Sequence, residues 1–202
     1  MTDSNKTTLQ SYEAHVQEYI DGTPQEVDGV VKEWIDSALT GMSHDARILE
    51  FGSAFGRDAT YIQSLGYTVD CTDATEGFVT LLQKKGFNAR VLNAITDDIE
   101  GEYDLVLANA VLLHFTREET ATVLRKVLNA LRSGGKFAFT VKQGEGEKWS
   151  EDKLGAPRYF CYWTKSQMEQ LLVDAGYANI EVMNDRDTKT ATWIHVIASK
   201  PE

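Results

Sequence analysis

The 202-residue sequence predicts an α/β fold: a doubly wound, seven-stranded, mostly parallel sheet with an antiparallel last strand and a helical N-terminal lid. Three observations predict it. Short apolar runs alternate with helix-like segments, as in sheets assembled from βαβ units. SLGYTVD, KKGFNAR and DAGYANI each place a glycine and then an aromatic after a helical segment; glycine suits the left-handed residue that ends a helix, and the aromatic suits a strand start. The earlier apolar runs do not alternate with polar residues, which is the pattern of strands covered on both faces.

Taken in order, the elements begin with helix. Thr23, Pro24 and Glu26 read as cap, first turn and capping acid of a helix burying Val27, Val30, Val31, Trp34 and Ala38. Residues 1–45 are therefore expected to form the lid, ahead of a sheet domain over 46–202. Strands are expected at 47–51, 67–72, 88–92, 104–108, 136–142, 179–184 and 191–199. Between them, Thr116 with Glu119 makes a capping box before Val123, Leu124, Val127, Leu128 and Leu131, and Gly134 and Gly135 stop that segment. Thr164 and Gln167 repeat the box before Met168, Leu171 and Leu172, with Gly176 as the stop. Residues 143–160, QGEGEKWSEDKLGAPRYF, read as a long polar connection, a kind that is usually functional in a compact domain. The last two strands are separated by DRDTKT, too short for a crossover helix, so they are expected to be antiparallel.

Composition narrows the function. A formal charge of −11 repels nucleic-acid phosphates and anionic membranes, so neither is an expected partner. Only Cys71 and Cys161 occur, without a CxxC pair, which suggests no disulfide framework and no cysteine metal site. His15, His44 and His195 have no acid or cysteine at metal-ligand spacing, and no metal is expected. MTDSNKTTLQ lacks the basic start and apolar core of a signal peptide, and no apolar run is long enough to span a bilayer. The expectation is a cytoplasmic protein; its oligomeric state is not legible.

In an open α/β sheet, ligands bind beyond the carboxyl ends of the strands, where the strand order reverses. After the first expected strand the chain reads ILEFGSAFGRD, giving Glu50, Gly52, Ser53, Ala54, Gly56, Arg57 and Asp58. Gly52 and Ala54 allow close backbone approach, and the following helix aims unpaired N–H groups at an anion. Asp73 ends the second strand, one βαβ unit later, where its carboxylate can accept both ribose hydroxyls; it could also cap the next helix. A nucleoside-containing cofactor is implied. The dinucleotide pattern G-x-G-x-x-G fails twice, because counting from Gly52 gives Ala54 and Arg57.

The segment E-F-G-S-A-F-G instead resembles the first motif of class I S-adenosylmethionine-dependent methyltransferases, acid-x-Gly-x-Gly-x-Gly, with Ala54 in the middle glycine's place. The resemblance continues in family order over roughly residues 46–200. It implies S-adenosylmethionine as cofactor, Asp73 and Ala74 at the ribose, and LNAI (Leu92, Asn93, Ala94, Ile95) beside the adenine, with Asn93 in place of the usual aspartate. YDLVLANAVLLHF would place Asn109, Ala110 and Val111 along the methionyl side and His114 at the entrance. Members with GRD after the glycine turn also have a helical front with tyrosines, to which Tyr12 and Tyr19 look similar. Arg57 could hold the methionyl carboxylate or pair with Asp58.

The implied activity is methyl transfer to a small-molecule acceptor by in-line displacement. A proline-rich turn typical of base-amine methyltransferases is absent from Asn109–Ala110–Val111–Leu112. His114 is the candidate general base for a hydroxyl or thiol acceptor, its alternative being a structural hydrogen-bonder. Tyr12, Tyr19, Tyr159 and Tyr162 are candidate substrate contacts. Two other classes stay open: a catalytically silent cofactor-binding or partner-activating module, suggested by Ala54 and Asn93, and an NAD-dependent oxidoreductase, disfavoured by Arg57.

Overall fold

A computed structural model describes residues 2–184 and 192–202. The front consists of α1 (Asp3–Ala14), α2 (Val16–Asp21) and α3 (Gly29–Leu39). Then follow β1 (Ile48–Phe51), α4 (Arg57–Ser64), β2 (Val69–Asp73), α5 (Glu76–Lys84), β3 (Ala89–Val91) and β4 (Tyr103–Ala108). A single tight turn of helix at Leu112–His114 leads to α6 (Arg117–Ala130), β5 (Leu131–Lys142), β6 (Glu147–Ser150) and β7 (Arg158–Cys161). The chain closes with α7 (Lys165–Ala175), β8 (Ala178–Asn184) and β9 (Trp193–Ser199).

Seven strands form one sheet in the order β3-β2-β1-β4-β5-β9-β8. The first five run parallel, and β9 is antiparallel to both β5 and β8. From β1 the chain steps outward to β2 and β3, then returns to lay β4 on the other side of β1. That reversal opens a crevice at the carboxyl ends of β1 and β4.

The strands alternate their burial between two apolar layers. Phe137 and Phe139 of β5 face Val123, Leu124 and Val127 of α6 and Met168 and Leu172 of α7. Ala138, between them, faces the opposite layer with Ile48, Leu105 and Leu107, which packs on Trp34, Ile35 and Ala38 of α3 and Ala59 and Ile62 of α4. Trp34 is the largest side chain of this layer; its ring is 1% exposed and its indole N–H donates to the Val196 carbonyl at 3.1 Å.

Both expected capping boxes form: Thr116 Oγ1 accepts from Glu119 N while Glu119 Oε2 accepts from Thr116 N, and Thr164 with Gln167 does the same. Gly176 closes α7 in the left-handed conformation, φ 95°. Several expectations need correction. The helix expected after Thr23 begins only at Gly29, because the Thr23 hydroxyl donates to the Tyr19 carbonyl and so closes α2 instead of opening α3. α6 ends at Ala130, short of Gly134, since Leu131 already pairs with Tyr103 across β4 and β5. The stretch 143–160 is not only connection: β6 and β7 form an antiparallel hairpin, with Trp149 opposite Tyr159. The expected polar turn DRDTKT and Ala191 lie outside the described residues.

Replacing Trp34 with alanine removes the anchor of α3 and leaves a cavity under the sheet. The Trp34→Ala variant is expected to lose about 3–5 kcal/mol in denaturant unfolding; a loss below about 1 kcal/mol would show that α3 does not hold this layer.

Candidate functional site

A cavity opens where the strand order reverses, and α1 and α2 cover it. The space between its walls, open mouth included, is about 690 Å³. The turn after β1 supplies Gly52 and Ala54, the turn after β2 supplies Asp73, Ala74 and Thr75, and Leu92, Asn93 and Ala94 follow β3. Asn109, Ala110, Val111 and His114 follow β4, while Asn5, Thr8, Tyr12 and Tyr19 come from the covering helices. Phe78 of α5 completes an aromatic wall with Tyr12 and Tyr19, the two tyrosine rings meeting edge to face at 5.4 Å.

The first turn alternates left-handed residues: Gly52 at φ 63°, Ala54 at φ 47° and Gly56 at φ 86°. Gly52 admits no side chain, because a Cβ would lie 2.4 Å from Val111 Cγ2. The turns after β1 and β4 therefore touch directly. Ala54 occupies a conformation that L-residues enter at a cost, and it is held there by its N–H, which donates to Asp73 Oδ2 at 2.9 Å. Asp73 Oδ1 accepts from Thr75 N at 2.8 Å, so this carboxylate ties the turn after β1 to the turn that leads into α5. Each oxygen keeps a further lone pair able to accept a hydroxyl. Burial pushes the Asp73 carboxyl up to about 6, against the pull of its N–H donors.

Beneath the cavity floor lies a polar bridge. Asp58 accepts from Arg57 Nε at 2.7 Å and from Asn109 Nδ2 at 2.8 Å. Thr140 Oγ1 donates to Asn109 Oδ1 and accepts from Ala110 N, both at 2.8 Å. Glu50 is 2% exposed, and its Oε2 has no hydrogen-bond partner. Burial, reinforced by the Asp58 charge, raises its carboxyl to about 8.

At the far end, His114 links α1 to β7. Its Nδ1 lies 2.7 Å from the Tyr159 carbonyl and therefore carries the proton, which leaves Nε2 to accept from the Tyr12 hydroxyl at 2.8 Å. Burial pushes the imidazole down to about 3, against the pull of the Tyr159 carbonyl and reinforced by Arg158 and Lys142, so it is neutral at ordinary pH. Arg158 Nη1 donates to the same Tyr12 oxygen at 3.2 Å.

Of the residues singled out in the sequence, Gly52, Ala54, Asp73, Ala74, Asn93, Ala94, Asn109, Ala110, His114, Tyr12 and Tyr19 line the cavity. Glu50, Ser53, Gly56, Arg57 and Ile95 lie behind the lining. Ser53 Oγ accepts from Thr72 N, Gly56 starts α4 against Leu82 and Phe87, and Ile95 N donates to Asn93 Oδ1. Arg57 turns to Asp58. Tyr159 meets the site through its carbonyl while its ring packs on Trp149, and Tyr162 lies under Lys148 away from the cavity. Sequence reasoning passed over Asn5 and Thr8, whose polar side of α1 faces inward against the usual pattern, and Thr140 and Arg158, which no motif marks.

For Glu50 and Asp73 the folded value lies above the unfolded one, so the folded protein holds protons the unfolded chain has released. Stability must then fall as pH rises, from 4.5 to about 8 for Glu50 and from 3.8 to about 6 for Asp73. Thermal melts of the ligand-free protein should show this decline, and Glu50→Gln should flatten its upper half. A parallel decline in the variant would assign the slope to other groups.

A methyltransferase-domain family matches residues 49–137, from β1 to the middle of β5. A probable S-adenosyl-L-methionine-dependent methyltransferase TehB of Haemophilus influenzae is 25% identical over 95 residues, 44% of this chain. The chain spans about a third (33%) of the length of the curated relatives it matches. Among solved structures, Burkholderia thailandensis 1,6-didemethyltoxoflavin-N1-methyltransferase, with 1,6-didemethyltoxoflavin and S-adenosylhomocysteine bound, superposes with a TM-score of 0.74 at 20% identity, covering 100% of this chain and 92% of that one. Haemonchus contortus phosphoethanolamine N-methyltransferase 2, in complex with S-adenosyl-L-methionine, gives 0.77 at 15% identity over 100% and 60%. The sheet order and the glycine turn agree with the matched methyltransferase domain over residues 49–137, and the whole chain shares the fold of these S-adenosylmethionine-dependent methyltransferases.

Proposed function

We propose that this protein transfers the methyl group of S-adenosylmethionine to a small-molecule acceptor, in a cavity that α1 and α2 close as a lid. The observation that carries the reading is the make-up of that cavity's lining. It consists of Asp73, backbone turns and the aromatic rings of Tyr12, Tyr19 and Phe78 among others, with no lysine or arginine among the described lining residues. Such a surface suits a cationic sulfonium nucleoside, which gains from a carboxylate and from aromatic faces. The unpartnered Glu50 Oε2 below it suits a bound cation as well.

In this reading Asp73 accepts the ribose hydroxyls, and Ala74, Asn93, Ala94 and Ile95 flank the base. Gly52, Ser53, Ala54, Gly56 and Arg57 shape the turn at the methionyl end, beside Asn109 and Ala110. The cofactor supplies a methyl group on an excellent leaving group, so the protein's task is alignment of the acceptor and exclusion of water. Tyr12 and His114 stand where the acceptor enters. With Nδ1 fixed on the Tyr159 carbonyl, His114 holds the Tyr12 hydroxyl by its proton and leaves the tyrosine oxygen directed for contact with the acceptor. The relay can take a proton through Tyr12 when the acceptor must lose one.

The small-molecule reading draws support from two similar structures whose acceptors are small and whose chains are N-methyltransferases. The acidic net charge argues against nucleic acid, and no described helix is long and apolar enough to cross a membrane. A cytoplasmic location is proposed on that charge and on two buried free cysteines. Residues 1–45 are proposed to divide in role: α1 and α2 act as the lid, and α3 belongs to the core.

Calorimetric titration with S-adenosylmethionine, S-adenosylhomocysteine and NAD is the direct check, with micromolar binding expected for the two sulfur nucleosides alone. Asp73→Ala should weaken that binding by about 1–3 kcal/mol; unchanged affinity would remove the site from this turn. Once an acceptor is found, Tyr12→Phe and His114→Ala should each lower turnover on the order of 100-fold with cofactor affinity retained, and the double variant should be no worse than the weaker single. Full turnover in His114→Ala would leave the histidine a purely structural role.

A further inference from the structure

Arg158 is 5% exposed, yet it forms no ion pair among the described residues, and its Nε has no hydrogen-bond partner. A guanidinium in that position is unfavourable without a counter-charge. Its one hydrogen bond goes to the Tyr12 hydroxyl, and its flat group lies 5.6 Å from the Tyr12 ring centre and 5.2 Å from that of Phe160.

Other cations gather on the same rings. Lys142 Nζ lies 4.4 Å from the Phe160 centroid, and Phe160 stacks on His114 at 4.8 Å. Lys153 Nζ lies 4.0 Å from the Tyr19 centroid and donates to Thr23 Oγ1 at the end of α2. Neither lysine forms an ion pair among the described residues. Their mutual repulsion is legible: burial, with Arg158, Arg57 and Lys142 adding to it, lowers the Lys153 ammonium to about 8. Lys142 is lowered by burial and by Arg158 and Lys148, and the acid that opposes this, Asp152, accepts from Ser150 Oγ. In a chain with a net charge of −11, three cations thus lie on the rings of Tyr12, Phe160 and Tyr19 without an ion pair among the described residues.

We infer that the methyl acceptor carries an oxyanion, a carboxylate or a phosphate, drawn to the Tyr12–His114 end of the cavity by Arg158, which lies behind Tyr12 and bonds its hydroxyl, with Lys142 and Lys153 adding charge. The inference rests on the methyltransferase reading and names the class of its substrate. The planar guanidinium offers the geometry for such a group, and the lysines add charge from either side. The anion would also cancel the positive field that helps hold His114 neutral, so the relay gains basicity when the acceptor is seated.

The experiment is a titration of the protein saturated with S-adenosylhomocysteine, at constant ionic strength, with benzoate, inorganic phosphate and benzamide, the neutral isostere of benzoate. Saturable binding is expected for benzoate or phosphate, at least tenfold tighter than for benzamide, and whichever of the two binds identifies the source of the oxyanion. Arg158→Gln should abolish that preference while its affinity for S-adenosylhomocysteine stays unchanged. Lys153→Met, an exposed position whose substitution leaves the core untouched, should weaken the anion about threefold and serves if Arg158→Gln does not fold. Equal binding of benzoate and benzamide with no binding of phosphate, or an anion preference that survives both substitutions, overturns the inference and leaves the methyltransferase reading standing. Failure of S-adenosylhomocysteine to bind at all overturns both.

Discussion

The arrangement depends on a short polar bridge between the turns that follow two parallel central strands, β1 and β4. Asp58 at the start of α4 and Thr140 in β5 both hold the Asn109 amide, and Thr140 in turn fixes Ala110 N, so the turns after β1 and β4 share one set of hydrogen bonds. Gly52 makes that sharing possible, since any Cβ there would collide with Val111. Without the bridge the crevice at the strand reversal would be two independent loops. With it, the glycine turn, Ala110 at φ 58° and the helical turn that carries His114 form one rigid rim. Strain in the left-handed Ala54 and Ala110 is tolerated because hydrogen bonds on both sides leave these residues no alternative.

The cover over that rim is made differently. α1 buries Asn5, Thr8 and Ser11, polar residues that accept or donate hydrogen bonds to Asn93, Tyr159 and Pro157. Thr2 and Glu13 extend the series to Glu119 and Gly77. Each bond is worth about 1 kcal/mol net, because water replaces it when the helix lifts. α3 shows the contrast: its Trp34, Ile35 and Ala38 lie in the apolar layer and cannot leave without exposing it. One front segment of sequence therefore contains α3, held by apolar burial, and α1, held by polar contacts, and the Thr23–Asp28 stretch separates them.

How much of this the sequence revealed follows from the range of each interaction. Sheet class, strand number and both capping boxes rest on signals within a few residues, and they were legible. The glycine turn and Asp73 were legible because their spacing is fixed by one βαβ unit. The hairpin of β6 and β7 was hidden because Glu147, Lys148, Trp149 and Ser150 expose nearly everything and show no alternation. The late start of α3 was hidden because Thr23 had two uses, and its bond to the Tyr19 carbonyl is visible only in three dimensions. Arg158 carried no local signal at all; its meaning comes from being buried without an ion pair among the described residues.

Charge is sorted along the cavity in a way that neither end explains alone. Asp73 lines the inner end with Glu50 behind it, both with carboxyls raised toward neutrality by burial, while Arg158, Lys142 and Lys153 lie behind the outer wall, on the rings of Tyr12, Phe160 and Tyr19. Each set is unfavourable when empty, for opposite reasons. A sulfonium cofactor that brings positive charge to the acids and an oxyanion that brings negative charge to the cations would relieve both, and the methyl group would lie between them. His114 sits on the boundary: burial, with Arg158 and Lys142 adding to it, pushes its imidazole down, and an anion beside those cations would ease that push. In the proposed reaction the proton relay would then depend on the acceptor's own charge, which would disfavour transfer of the methyl group to a neutral molecule that enters.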